Sequence, residues 1–183
     1  YYRGEFHAYY DLKSVAQVPV DSIAPEIDEI RDTLTKAVQK RLMSDVPLGV
    51  YLSGGLDSTI VAALVAQQNP DVHSFAVGIE GSQDLEHARV AAEKLGTQHH
   101  EYIYTEEEIL DALPEIIYHL ESFDPTLVRS AIPNYFLAKL TRQYVTVVLT
   151  GEGADELFAG YHYLKQFDED TLTDELVELT ASL

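Results

Sequence analysis

The chain has no cysteine, which excludes disulfides, thiolate metal sites and cysteine nucleophiles from its 183 residues. Tryptophan is also absent, and methionine occurs once, at Met43. Basic residues are scarce: 12 Lys and Arg stand against 31 Asp and Glu, a formal charge of −19. A surface of that sign repels nucleic acid and anionic lipid, so neither is expected as a general partner. No apolar run approaches the roughly 18 residues that span a bilayer. The opening Tyr1-Tyr2-Arg3-Gly4-Glu5 has neither an initiator Met nor the apolar stretch of a signal peptide. A cytoplasmic location fits these absences, and the chain is expected to begin inside a longer protein.

What remains is ordinary globular material, 46% hydrophobic and of a length suited to one domain. Tyr1 to Leu12 alternates aromatic and polar residues, as an edge strand or the tail of a preceding domain would. Asp21 to Pro25 reads as a linker, with Pro25 suited to a first helical position. Ile27, Ile30, Leu34, Val38, Arg41 and Leu42 then fall at helical spacing and predict a helix of about five turns. Strands are expected at 49–52, 73–79, 99–104 and 145–149, with helices after 58 and at 85–95, 106–118, 133–142 and 171–183. Thr105 and Glu108 form a capping-box pattern ahead of the third of these. Strands alternating with helices predict an α/β fold: a parallel sheet with helices on both faces, in three α/β/α layers.

Two loops carry the chemistry. The first is Ser53-Gly54-Gly55-Leu56-Asp57-Ser58, between an apolar strand and a helix. Glycines there permit close approach of a bulky anion, and the first amides of the helix point outward unpaired, reinforced by the helix dipole. Ser53 and Ser58 add hydroxyl donors. Asp57 would repel phosphate oxygens unless a divalent cation lay between them. The unit reads as a cradle for pyrophosphate and magnesium. The plain alternative is a glycine-rich turn with Asp57 capping the helix. The string lacks both the Gly-Lys-Ser/Thr ending and the Gly-x-Gly-x-x-Gly pattern of other phosphate loops.

The second loop, Thr150-Gly151-Glu152-Gly153-Ala154-Asp155-Glu156, follows the apolar run Val145 to Leu149. At the carboxyl edge of a parallel sheet it would lie where open α/β folds bind ligands. Asp155 and Glu156 are alternatively caps of the next helix. Glu106-Glu107-Glu108 and Asp168-Glu169-Asp170 read as solvated surface, and the adjacent His99 and His100 as a hydrogen-bonded strand end rather than metal ligands.

Ser53 to Ser58 resembles the PP-loop of the ATP pyrophosphatases that split ATP between its α and β phosphates. The second loop resembles the Gly-Glu-Gly-Ser/Ala-Asp-Glu motif of glutamine-hydrolysing asparagine synthetases. The likeness runs from about Pro25 to Lys165. It includes Ser74-Phe75-Ala76-Val77-Gly78, Leu95-Gly96-Thr97-Gln98-His99-His100-Glu101 and Asp124-Pro125-Thr126-Leu127-Val128-Arg129-Ser130. It implies ATP and magnesium as cofactors, with aspartate and ammonia from glutamine as the other small-molecule substrates. The backbone near Tyr51 and Val77, with Thr150 and Gly151, would hold adenosine. Ser53, Gly54, Gly55, Asp57 and Ser58 would hold pyrophosphate, and Asp57 and Asp155 the metal. Glu152 would assist attack by ammonia, and Thr126 and Arg129 would contact substrate from a loop. For Arg129 the alternative is a structural ion pair.

The same likeness implies that residues 1–24 are the tail of an absent glutaminase domain. Residues 25–183 would then be a synthetase domain truncated at its C-terminal end, inactive alone. That end would lack the family's pyrophosphate-binding lysine, and the apolar side of 171–183 would need a partner. Self-association, a homodimer included, stays open. Leu127 stands where many relatives have a second threonine. Two other readings remain: a β-lactam synthetase-like enzyme that closes a ring, and a nucleotide-binding module without activity.

Overall fold

In a computed structural model the described residues are Gly4 and 27–181. Apart from Gly4, the edge strand expected at 1–12 and the linker at 21–25 lie outside them. Strands β1 (Leu48–Tyr51), β2 (His73–Gly78), β3 (Gln98–Ile103) and β4 (Val147–Leu149) form one sheet in the order β3-β2-β1-β4. Every pairing is parallel, with Val50 opposite both Ser74 and Leu149, and Phe75 opposite His100. Helix α1 (Ile27–Gln39) precedes β1, and the helices between strands are α2 (Leu56–Gln68), α3 (Gln83–Leu95), α4 (Glu106–Leu120) and α5 (Pro125–Thr141).

Alternation of side chains along each strand divides the core into two layers. On one face Val50, Leu52, Ala76 and Leu149 pack with Val38 of α1, Ala62 and Val65 of α2, and Leu85, Ala88 and Ala92 of α3. On the other, Phe75 packs with Leu140 of α5 and Val145, flanked by Tyr51, Val77, Leu137 and Val148. The α/β/α arrangement expected from the strand–helix alternation is therefore present. Among the described residues no helix is long and apolar enough to cross a membrane.

Element boundaries follow local chemistry. Helix α1 stops at Gln39, short of the five turns expected: Arg41 and Leu42 bond back three residues to Val38 and Gln39. The Arg41 guanidinium also donates to the Ala37 carbonyl at 2.8 Å, satisfying an end-of-helix acceptor. Helix α3 closes at Gly96, as expected. Thr105 caps α4 in a complete capping box with Glu108, so one member of the Glu106-Glu107-Glu108 run has a structural task. Replacing the exposed Thr105 by Ala should cost about 1 kcal/mol. Thermal unfolding should register this as a fall in Tm of roughly 2–4 °C.

The largest correction concerns α5. The expected helix began at Pro133, whereas the observed one runs from Pro125, with Pro133 inside it. Asp124 is the N-cap and accepts the amides of Thr126 and Leu127 at 2.8 and 3.0 Å, with Pro125 next to it at the first helical position. A proline inside the helix forfeits a single backbone bond. Burial of Phe136 and Leu140 against the sheet outweighs that loss.

Asp28–Gly151 form one compact unit, and the residues from Glu152 onward belong to the other. Within the latter, α6 (Ala154–Phe158), a 3-10 turn (His162–Gln166) and α7 (Glu169–Ala181) follow in order. Leu172, Leu176, Val177 and Leu179 of α7 are half-buried, and Thr180 donates to the Glu156 carbonyl at 3.3 Å.

Candidate functional site: a phosphate loop at the carboxyl edge

At the end of β1 the chain turns through Ser53-Gly54-Gly55 into α2. Gly55 is the N-cap, and no side chain caps the helix. The amides of Leu56, Asp57 and Ser58 consequently have no hydrogen-bond acceptor among the described residues. Asp57 lies in the first helical turn, so the helix-capping alternative for it does not hold. The two serines fasten the loop to itself. The Ser53 amide donates to Ser58 Oγ at 3.3 Å, the two hydroxyls are 3.0 Å apart, and Ser58 Oγ donates to the Gly55 carbonyl at 3.2 Å. What faces outward is a row of unpaired N–H groups at the positive end of a helix dipole.

Two glycines make this arrangement possible. Gly54 has φ of +79°, and a β-carbon there would come within 2.5 Å of His87 Cβ and 2.6 Å of the Ala88 amide. Both the backbone angle and the close approach to α3 exclude a side chain. Gly151, just beyond β4, lies against the Asp57–Ser58 peptide. A β-carbon there would be 3.0 Å from the Asp57 carbonyl carbon and the Ser58 amide. The carboxyl edge of the sheet thus gathers Tyr51, Ser53 to Ser58, Val77, Thr150 and Gly151 within one compact unit.

Thr126 and Arg129 do not occupy a loop; both are exposed on the first two turns of α5. Arg129 makes no ion pair with a carboxylate among the described residues, so the structural ion pair is not observed.

Glu152 and Asp155 belong to the second unit. Gly153 is the N-cap of α6 without a side-chain cap bond, so neither Asp155 nor Glu156 caps that helix. Glu152 is exposed, while Asp155 and Glu156 are half-buried in and beside the first turn. The Tyr161 hydroxyl donates to Glu156. That bond, partial loss of water, and the charges of Glu156, Asp155 and Glu152 push Tyr161 up to about 12. The phenol therefore stays a neutral donor in a region of concentrated negative charge. A β-carbon on Gly160 would overlap the Asp155 carboxylate. The sequence does not single out Gly160 or Tyr161, because their partners, Asp155 and Glu156, are five residues away across a turn.

His99 and His100 are hydrogen-bonded structural residues, inside β3 rather than at its end. Their rings lie on opposite sheet faces. His99 Nδ1 is 2.8 Å from Ser74 Oγ, which is fully buried and also 2.7 Å from Thr97 Oγ1. His99 Nε2 lies 3.1 Å from Glu101, whose two carboxylate oxygens share the Arg89 Nε–H at 2.9 Å each and whose Oε2 is also 2.8 Å from Arg89 Nη2. Serine, histidine and glutamate recur here as in hydrolytic triads, but a serine with no solvent exposure cannot meet a substrate. His100 bonds His73 at 2.8 Å and stacks on Tyr144 with ring centroids 3.8 Å apart. Among the described residues no group of three or more His, Cys, Asp or Glu is arranged to hold a metal.

Burial holds both imidazoles below the ordinary 6.5. The unfolded chain then binds protons at a higher pH than the native one. Stability should be complete above about 6.5 and fall as pH drops through the lowered native values. Urea titrations between pH 7.5 and 5 should show this slope, and His99→Gln should flatten it.

A parallel sheet covered by helices on both faces, with an uncapped, glycine-rich strand–helix turn at its carboxyl edge, defines the class: a three-layer α/β fold of the PP-loop type. An NH3-dependent NAD synthetase from Campylobacter jejuni has the same fold, with a TM-score of 0.52 and 23% identity over 73% of this chain and 60% of that one. The family model described as asparagine synthase matches residues 29–179, and this chain belongs to that family. Asparagine synthetase [glutamine-hydrolyzing] 2 of Lotus japonicus is 39% identical over 97% of the chain and 32% of its own length. Asparagine synthetase B [glutamine-hydrolyzing] of Escherichia coli is 40% identical over 92% of the chain and 34% of its own length. The chain thus spans about a third of the length of the curated relatives it matches.

Proposed function

We propose that this chain is the nucleotide-binding part of an ATP-dependent, amide-forming ligase that makes asparagine. The observation that carries the reading is the uncapped amino end of α2, built from Ser53 to Ser58 and braced by Gly54 and Gly151. A carboxylate does not react with ammonia, because its oxygen leaves poorly. The β-carboxylate of aspartate therefore attacks the α-phosphorus of ATP and breaks the bond to the β-phosphate oxygen, which releases pyrophosphate. Ammonia then attacks the acyl carbon of the β-aspartyl-AMP and displaces AMP, giving asparagine.

The amides of Leu56, Asp57 and Ser58, with the hydroxyls of Ser53 and Ser58 and the backbone of Gly54 and Gly55, bind the pyrophosphate portion and its developing charge. Tyr51, Val77, Thr150 and Gly151 border the adenosine, while Thr126 and Arg129 orient the acid substrate. Glu152 accepts a proton from the attacking ammonia. Magnesium, when bound, supplies positive charge against the departing phosphates. Asp57 and Asp155 are the hard oxygen donors suited to it, since this ion ordinarily takes one or two carboxylates plus phosphate oxygens.

Residues 1–24 are assigned to the tail of a glutaminase domain and 25–183 to the synthetase domain. The names of the relatives, which include glutamine hydrolysis, support ammonia from glutamine as the nitrogen source. A cytoplasmic setting accords with an ATP-dependent biosynthetic step. The test uses the full-length protein: magnesium-dependent AMP and pyrophosphate release from ATP, with and without aspartate. Release that requires aspartate is the expected outcome. Release driven only by another acid would replace aspartate as the substrate.

A further inference from the structure

The residue pressed against the phosphate loop from outside is His87. It lies on the second turn of α3, whose buried face is made by Leu85, Ala88 and Ala92. The backbone at His87 and Ala88 is in direct contact with Gly54: the position a Gly54 β-carbon would take is 2.5 Å from His87 Cβ and 2.6 Å from the His87 carbonyl carbon. The His87 side chain therefore begins at the loop's flank. It is exposed, and it makes no hydrogen bond, ion pair or ring contact among the described residues. The other described histidines on helices or strands of this unit are engaged: His73 with His100, His99 with Ser74 and Glu101, and His119 with Glu115.

Helix α3, like α2, follows a parallel strand and starts at the carboxyl edge. Gly54 is thus enclosed between α2, which offers amides, and α3, which offers an unengaged ring N–H. We infer that His87 is a further contact for the pyrophosphate portion of the nucleotide, adding a side-chain donor to a loop otherwise composed of backbone amides and hydroxyls. This rests on the reading of Ser53 to Ser58 as a phosphate cradle. An imidazole N–H donating to a phosphate oxygen is a charge-assisted bond, stronger than one between neutral groups. Its position on the rim, open to water, moderates the effect.

The experiment is an NMR titration of the chain with inorganic pyrophosphate and magnesium. It follows the amides of Ser53 to Ser58 and the ring resonances of His87, with His119 as an exposed control. The expected result is saturable movement of the loop amides and of the His87 ring together, with the His119 ring still. In parallel, calorimetry should give His87→Ala a dissociation constant for pyrophosphate about three- to tenfold weaker, at unchanged Tm. His87→Lys, which keeps a donor on the same helix position, should recover part of the affinity. Loop amides that move while the His87 ring stays fixed, or an unchanged dissociation constant in His87→Ala, would overturn this inference and leave the cradle standing. Immobile loop amides would overturn both.

Discussion

Gly54→Ala is expected to abolish pyrophosphate binding and to lower Tm by roughly 4–8 °C, whereas Gly55→Ala leaves the fold nearly unchanged. The two neighbours look equivalent in sequence, and the structure separates them. At Gly54 the backbone is left-handed, with φ of +79°, a region that costs an L-residue about 1–2 kcal/mol. A β-carbon would also meet His87 and Ala88, whose backbone belongs to a packed helix and cannot move aside cheaply. Together these amount to about 2 kcal/mol or more. The α3 contact would also push the loop outward and turn the amides of Leu56, Asp57 and Ser58 away from a common centre. At Gly55, φ is −69° and the nearest atom to a new β-carbon is Ser53 Oγ at 3.5 Å. The loss there should stay below about 1 kcal/mol, as for other N-cap changes away from glycine. Differential scanning calorimetry and pyrophosphate titration of both variants test the contrast. Equal Tm values would mean that the loop is not braced against α3.

Asp57→Asn is expected to separate catalysis from folding. In the full-length protein it should lower magnesium-dependent AMP release by about 100-fold or more, the scale seen when a group that stabilises transition-state charge is removed. Stability should change little. Asp57 caps no helix and makes no hydrogen bond or ion pair among the described residues, so its structural contribution is its charge near the helix amino end. That contribution is worth about 0.3–1 kcal/mol. Asparagine keeps the volume and removes the anionic donor that Asp57 is proposed to offer magnesium. Activity within threefold of the parent would remove Asp57 from the metal site. A large fall in Tm would show that its role is structural.

Much of the fold was present in the order of residues. Short apolar runs at Leu48–Tyr51 and His73–Gly78 are strands covered on both faces, and such strands need helices on each side. The alternation of strand and helix therefore sufficed for a three-layer parallel architecture. The capping box at Thr105 and Glu108 and the stop at Gly96 were equally legible, because each depends on residues within one turn of each other. The start of α5 was not. Pro133 reads as a boundary when taken alone, and only the Asp124 cap together with burial of Phe136 and Leu140 carries the helix through it.

The same division holds at the site. The sequence by itself determined a glycine-rich strand–helix turn and, separately, an acidic glycine-flanked loop, because each resides in a string of contiguous residues. Tertiary structure decided which glycine is indispensable, since Gly54 meets α3 more than thirty residues further along the chain. It decided that Gly151 presses on the Asp57–Ser58 peptide, through the parallel pairing of β1 with β4. It moved Thr126 and Arg129 from a loop onto a helix, and it placed His87 beside Gly54 with no local signal to announce it. Residues within a turn of each other are constrained by backbone geometry, which the sequence encodes directly. Contacts between separate elements depend on how strands register and how helices pack, and those are fixed only when the whole core closes.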